Sequence, residues 1–146
     1  MDLREILPRL GHRNWIAVVD AAFPEMVAPG VTTLIGGEVE SVLALLSEQP
    51  HVRAEAFLDS ELAHMTDEYA PGVSAFRTRL ETLLEGMPVH RLPHEEIIAM
   101  LDAAAQTFRV LVMKAPTLLP YTSLFLRLEC GYWNAAAEAR LRERIL

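Results

Sequence analysis

The chain has 146 residues, with 13 Lys and Arg against 20 Asp and Glu and a formal net charge of −7. That balance argues against a nucleic-acid partner, which needs a basic footprint. Apolar residues make up 51% of the chain and mean hydropathy is +0.20. This excludes a disordered chain and asks for either a large core or apolar surface buried in an oligomer.

No run of 18 apolar residues occurs, and Asp20 interrupts the longest candidate, residues 15–23, so no membrane span is expected. The first five residues carry acids and lack the basic-then-apolar order of a signal peptide. A cytoplasmic location is the expectation. Cys130 is the single cysteine, which rules out an internal disulfide framework and an all-cysteine zinc site.

In chain order, residues 3–10 predict a short helix with Leu3, Ile6, Leu7 and Leu10 on one stripe, disturbed by Pro8 and ended by Gly11. Residues 15–20 read as a strand whose continuous apolar run, ended by Asp20, is the pattern of a strand buried on both faces. Residues 31–35 are a weaker strand candidate. Residues 38–47 predict a helix with Val39, Val42, Leu43 and Leu46 at helical spacing. Residues 52–58 read as a strand, and residues 59–69 as helix or irregular chain ended by Pro71-Gly72. An amphipathic helix follows over 73–84, with Phe76, Leu80, Leu83 and Leu84 inward and Gly86 closing it.

Residues 89–92 predict a short strand, and Pro93 opens a helix to about Ala105. Residues 108–113 and 122–128 are two further strands. The tail, 134–146, predicts a helix with Ala137, Leu141 and Ile145 on one face, directed at a partner subunit or the parent sheet. Strands alternate with helices throughout, without repeats or linkers. The expectation is one α/β domain over 1–146, with a mostly parallel central sheet flanked by helices.

No Gly-x-Gly-x-x-Gly, Walker-type loop or Gly-x-Ser-x-Gly elbow is present. Gly36-Gly37 before a helix is the nearest approach to a phosphate loop, and it lacks the following Lys-Ser/Thr. Of the five histidines, His90 and His94 are four apart, but Pro93 starts the helix between them, so they do not share a helix face as metal ligands. Neither a metal nor a cofactor is expected.

Four other residues stand out. His12 follows Gly11 in the loop before the buried strand, as a solvated loop residue or a functional one. Asp20 ends that strand. It either caps the turn through Pro24 or faces a ligand, because a bare buried charge is costly and ligands bind at strand ends of open α/β sheets. His94 lies in the first turn of its helix. Tyr121 sits between Pro120 and a strand, as edge packing or as a contact residue.

These residues occur in an ordered pattern: Arg9-Leu10-Gly11-His12, then the run from Ile16 through Asp20 to Phe23-Pro24, then His94-Glu95-Glu96, then Pro120-Tyr121-Thr122-Ser123 before an apolar strand. Over roughly residues 3–131 the sequence resembles the ribose pyranase and fucose mutarotase (RbsD/FucU) family. The Asp20-to-Pro24 turn is similar to the fucose branch; the His94 helix start and the Val52–Leu62 stretch are similar to the ribose branch.

The resemblance implies a cofactor-free cytoplasmic isomerase that interconverts ring forms or anomers of a free monosaccharide. It implies His12 as the catalytic residue, and Asp20, His94, Tyr121 and Ser123 as sugar-binding residues. It also implies self-association into a ring, commonly a decamer, with sites at subunit boundaries. A non-catalytic sugar-binding or regulatory protein on the same scaffold is the alternative. The residue types suit the chemistry. Ring opening of a hemiacetal protonates the ring oxygen and deprotonates the anomeric hydroxyl, work for which histidine is fitted.

Three features depart from the family pattern. Ser123 stands where the family has asparagine, so one rotatable hydroxyl replaces a carbonyl and an amide. Residues 25–37 follow the pattern poorly. The helix expected over 133–146 lies past the usual end of the family.

Overall fold

The computed structural model describes residues 2–145. Helix α1 (Leu3–Ile6) is capped by Asp2, whose side chain accepts the Arg4 backbone N–H at 3.1 Å. Pro8 then falls within a 3-10 turn, Leu7–Arg9. The helix expected over 3–10 is thus two pieces, because proline brings no N–H to an α-helical ladder. There follow β1 (Trp15–Val19), β2 (Val31–Ile35), α2 (Val39–Ser47) and β3 (Val52–Asp59). A 3-10 turn (Ser60–His64), α3 (Val73–Leu83), β4 (Val89–Leu92), α4 (His94–Ala105), β5 (Val110–Lys114), β6 (Leu124–Cys130) and α5 (Ala135–Ile145) complete the chain.

Three boundary shifts bear on the polar residues at the strand ends. Asp59, expected after its strand, is the last residue of β3. Pro93 is not the first helical residue of α4 but occupies the cap position, with extended backbone (ψ 141°), and His94 begins the helix. The last strand starts at Leu124 rather than at residue 122, which leaves Ser123 at its entrance. Leu146, the expected end of the tail helix, and Met1 lie outside the described residues.

The six strands form one sheet in the order β2-β5-β1-β6-β3-β4. Strand β6 runs antiparallel to both neighbours, β1 and β3, while the β1–β5, β2–β5 and β3–β4 pairs are parallel. Five strands therefore share one direction. The carboxyl ends of β1, β3 and β4 lie at the same end of the sheet as the entrance to β6.

Every residue of β1 is buried, as the unbroken apolar run implied. Such a strand requires cover on both faces. On one face Ile16, Val18, Leu58 and Leu124 pack with Ile6, Val42 and Leu80 from α1, α2 and α3. On the other, Trp15, Val19, Phe57 and Phe125 pack with Ile97, Leu101 and Ala105 of α4 and with Phe23. Each fully buried aliphatic or aromatic side chain contributes about 1.5–3 kcal/mol, so these two layers fix the strand ends that carry the polar residues.

No described side chain of α5 is buried, and Leu141 and Ile145 are 42% and 68% exposed. The helix is held by local terms. Asn134 accepts the Ala137 backbone N–H at 2.8 Å, and Arg142 pairs with Glu138 at 3.0 Å. Among the described residues no helix is long and apolar enough to cross a membrane.

Candidate functional site

Four strand ends build the site. Leaving β1, the chain turns at Asp20. The Phe23 N–H donates back to the Asp20 carbonyl at 3.2 Å, and the Ala21 N–H donates to the Thr117 carbonyl at 2.9 Å. That turn drives Phe23 into the core, where it is 3% exposed. Two strands away β3 delivers Asp59, whose side chain is wholly buried.

From β4 the chain passes Pro93, which offers no capping side chain, into α4. Glu61, in the turn after β3, supplies the cap instead. Its two carboxylate oxygens accept the His94 backbone N–H at 3.0 and 3.2 Å. An acid at this position also complements the helix dipole.

The His94 ring is consequently held from several sides. Its Nδ1 is 2.8 Å from Asp59 Oδ1. Tyr121 and Phe23 meet it edge-on, with ring centroids at 5.7 and 6.1 Å, and Phe125 lies tilted against it at 6.4 Å. Tyr121 has φ +59°, a left-handed backbone that costs a bulky residue about 1–3 kcal/mol. Its loop is pinned by the Thr122 hydroxyl, which donates to the Leu119 carbonyl at 2.7 Å.

Burial pushes the Asp59 carboxyl above its ordinary value of 3.8. The hydrogen bond from His94 and its charge pull the other way, and the neighbouring Glu61 and Asp20 carboxylates push it further up. Two buried polar atoms here have no hydrogen-bond partner, Asp59 Oδ2 and Ser123 Oγ. A buried polar atom left unpaired costs about 1–3 kcal/mol, and such atoms are more often found where a ligand or water completes them.

Asp20, His94, Tyr121 and Ser123 therefore gather at one end of the sheet. His12 does not join them within one chain. It lies in the turn before β1, at the other end of a five-residue strand that spans about 17 Å. There its Nδ1 is 2.9 Å from Glu129 Oε2, and its side chain is 55% exposed. Glu129 also accepts from Arg127 Nε at 2.9 Å, Arg127 approaches Glu55 at 3.4 Å, and Glu55 accepts from His90 at 2.8 Å. The bond from His90 is the main cause that holds the Glu55 carboxyl below its ordinary 4.5, against the effect of burial, with Arg53 and Arg127 assisting.

Asp59 and Glu61 escaped the sequence reading. The signal for Asp59 was the one that marked Asp20, an acid directly after an apolar strand run. For Glu61 no sequence signal exists, since it meets His94 across 33 positions. Cys130 is half-buried at the end of β6. Among the described residues no three metal-ligating side chains converge. A cleft of about 710 Å³ lies on the other sheet face, lined by Val39, Phe76, Leu83, Leu119 and Arg79 among others, and none of the five expected site residues lines it.

No protein-family model matches the sequence, and no curated protein matches it. Solved structures do. RbsD of Bacillus subtilis complexed with D-ribose is 23% identical, with 90% of this chain and 92% of that chain covered and a TM-score of 0.61. A fucose mutarotase from Streptococcus pneumoniae in complex with L-fucose is 15% identical over 88% and 91% of the two chains, with a TM-score of 0.57. FucU from Bifidobacterium longum is 19% identical over 87% and 92%, with a TM-score of 0.51. The chain has the fold of these RbsD and FucU structures, as the sequence resemblance implied.

Proposed function

We propose that this chain is a cofactor-independent monosaccharide mutarotase or pyranase, a cytoplasmic isomerase acting on a free sugar of ribose or fucose type. The observation that carries the reading is the convergence of Asp20, His94, Tyr121 and Ser123 at the carboxyl end of the sheet, drawn from segments up to about 100 residues apart. It occurs in a fold shared with one protein solved with D-ribose and another solved with L-fucose.

Such a site suits a neutral sugar. Carboxylates and hydroxyls bond its hydroxyls, and the Tyr121 ring, 38% exposed, offers apolar surface to its C–H face. The reaction is a pair of proton transfers. The ring oxygen receives a proton and the anomeric hydroxyl gives one up, the C1–O bond opens to the aldehyde, and reclosure on either face or through another hydroxyl gives the new form.

His12 takes a catalytic part in this scheme. Its Nδ1 is engaged by Glu129, so Nε2 is left for the substrate. Because β1 separates His12 from Asp20, the complete site needs His12 from a second copy, and a closed ring of copies, such as a decamer, brings every His12 to a neighbour's site. Exchange NMR on D-ribose and L-fucose tests the proposal. Accelerated anomer or pyranose–furanose exchange, lost in His12→Ala, is expected; no acceleration with any common aldose refutes catalysis.

One observation favours the second reading, a sugar-binding protein without catalysis: Ser123 lacks a partner where an asparagine would offer two. Sugar binding by calorimetry with no exchange acceleration would decide for it.

A further inference from the structure

We propose that Asp59 is a positioning residue that makes His94 a proton-transfer group. The inference rests on the sugar-isomerase reading and assigns to that site a residue and a role outside it.

With Asp59 ionised, the His94 Nδ1 donates to Asp59 Oδ1 at 2.8 Å. The neutral ring then carries its lone pair on Nε2, which has no hydrogen bond to protein among the described residues. Asp59 thus sets the tautomer, while Glu61 fixes the backbone and Phe23, Phe125 and Tyr121 fix the ring plane. A solvated sugar-contacting histidine needs none of this. The arrangement suits a proton acceptor, because the charge formed on the ring is stabilised by the carboxylate behind it. His12 likewise has Nδ1 paired with a carboxylate, that of Glu129, at the other end of the sheet.

The step balances. His94 Nε2 takes the proton of the anomeric hydroxyl, the electrons of that O–H bond form the carbonyl, and the C1–ring-oxygen bond breaks. The ring oxygen takes its electron pair and a proton from protonated His12 of a second copy. Ring closure runs the same transfers backward, so no other reactant is consumed.

The test uses the full chain, its Asp59→Asn and His94→Gln variants, and ¹⁵N NMR of the His94 ring beside exchange NMR on D-ribose and L-fucose. Wild type should show Nδ1 protonated and Nε2 bare. Asp59→Asn should change that tautomer and lower exchange about 100-fold or more, the scale of one lost proton-transfer group, while sugar affinity moves less than about tenfold. His94→Gln should match it in rate.

If wild type accelerates exchange and either variant is as fast, or if wild-type Nδ1 is bare, the inference falls alone. If wild type accelerates no exchange, the sugar-isomerase reading falls and takes the inference with it. Should Asp59→Asn fail to fold, the wild-type tautomer and His94→Gln still decide.

Discussion

Phe23 joins stability to the site, so Phe23→Ala is an informative perturbation. The ring is 3% exposed and packs on Phe125 at 6.1 Å and on His94 at 6.1 Å. A buried phenylalanine removes about 150–250 Å² from water, worth about 4–6 kcal/mol at 25 cal/mol per Å². Area taken against an extended chain is an upper bound. Measured Phe-to-Ala substitutions in cores cost about 3–5 kcal/mol, and a loop site that can collapse belongs at the lower end. The expected loss is therefore about 3 kcal/mol, against a total of about 5–15 for a domain. In a chain of this length that lowers Tm by about 6–12 °C.

The same change frees the turn that begins at Asp20, since the Phe23 N–H bond to the Asp20 carbonyl is kept in place by the anchored ring. Sugar affinity should fall with stability, whereas Phe23→Leu should retain most of both. Thermal and urea unfolding at one fixed protein concentration, with calorimetry of sugar binding, measure the two effects. A loss under about 1 kcal/mol would refute the packing argument. A full stability loss with unchanged sugar affinity would refute the link from Phe23 to Asp20.

Other consequences are open to simple measurement. Mixing unfolded His12→Ala and His94→Gln chains in equal amounts and refolding them should restore exchange to about a quarter of wild type, the share of sites formed by two intact faces; no recovery would refute the shared site. Asp59 and Glu55 should give stability opposite pH dependences. The raised Asp59 carboxyl holds its proton longer in the folded than in the unfolded chain, so stability falls as pH climbs from 3.8 through the raised value. The lowered Glu55 carboxyl contributes above its ordinary 4.5 and loses that contribution as pH falls through its folded value. Urea midpoints from pH 3 to 7 should show each slope flattened in Asp59→Asn and in Glu55→Gln respectively. Gly30→Ala should destabilise the chain measurably in the same assay, because a Cβ there would collide with the carbonyl oxygens of Ala105 and Phe108 where α4 closes on the entry to β2.

The sequence by itself determined the layered α/β architecture and most element positions. The run from Trp15 to Val19 has no polar residue, and such a strand can only lie between two covered faces. Helical spacing placed Val42 and Leu46, and Leu80 and Leu84, on buried faces. Asp20, His94, Tyr121 and Ser123 were also legible, because an acid after a buried strand, a histidine at a helix start and an ordered motif are local features. Asp59 was equally local, yet an acid before an irregular stretch reads the same whether it is solvated or wholly buried.

Tertiary structure decided the rest. The reversal of β6 between β1 and β3 brought the Ser123 entrance beside the Asp59 end, a matter of which distant strands pair. Glu61 reached His94 only because β3 and β4 are neighbours. The separation of His12 from Asp20 was fixed by the extended strand between them. Short-range rules govern which element a segment forms, whereas long-range pairing governs which element ends meet, and this site consists of element ends.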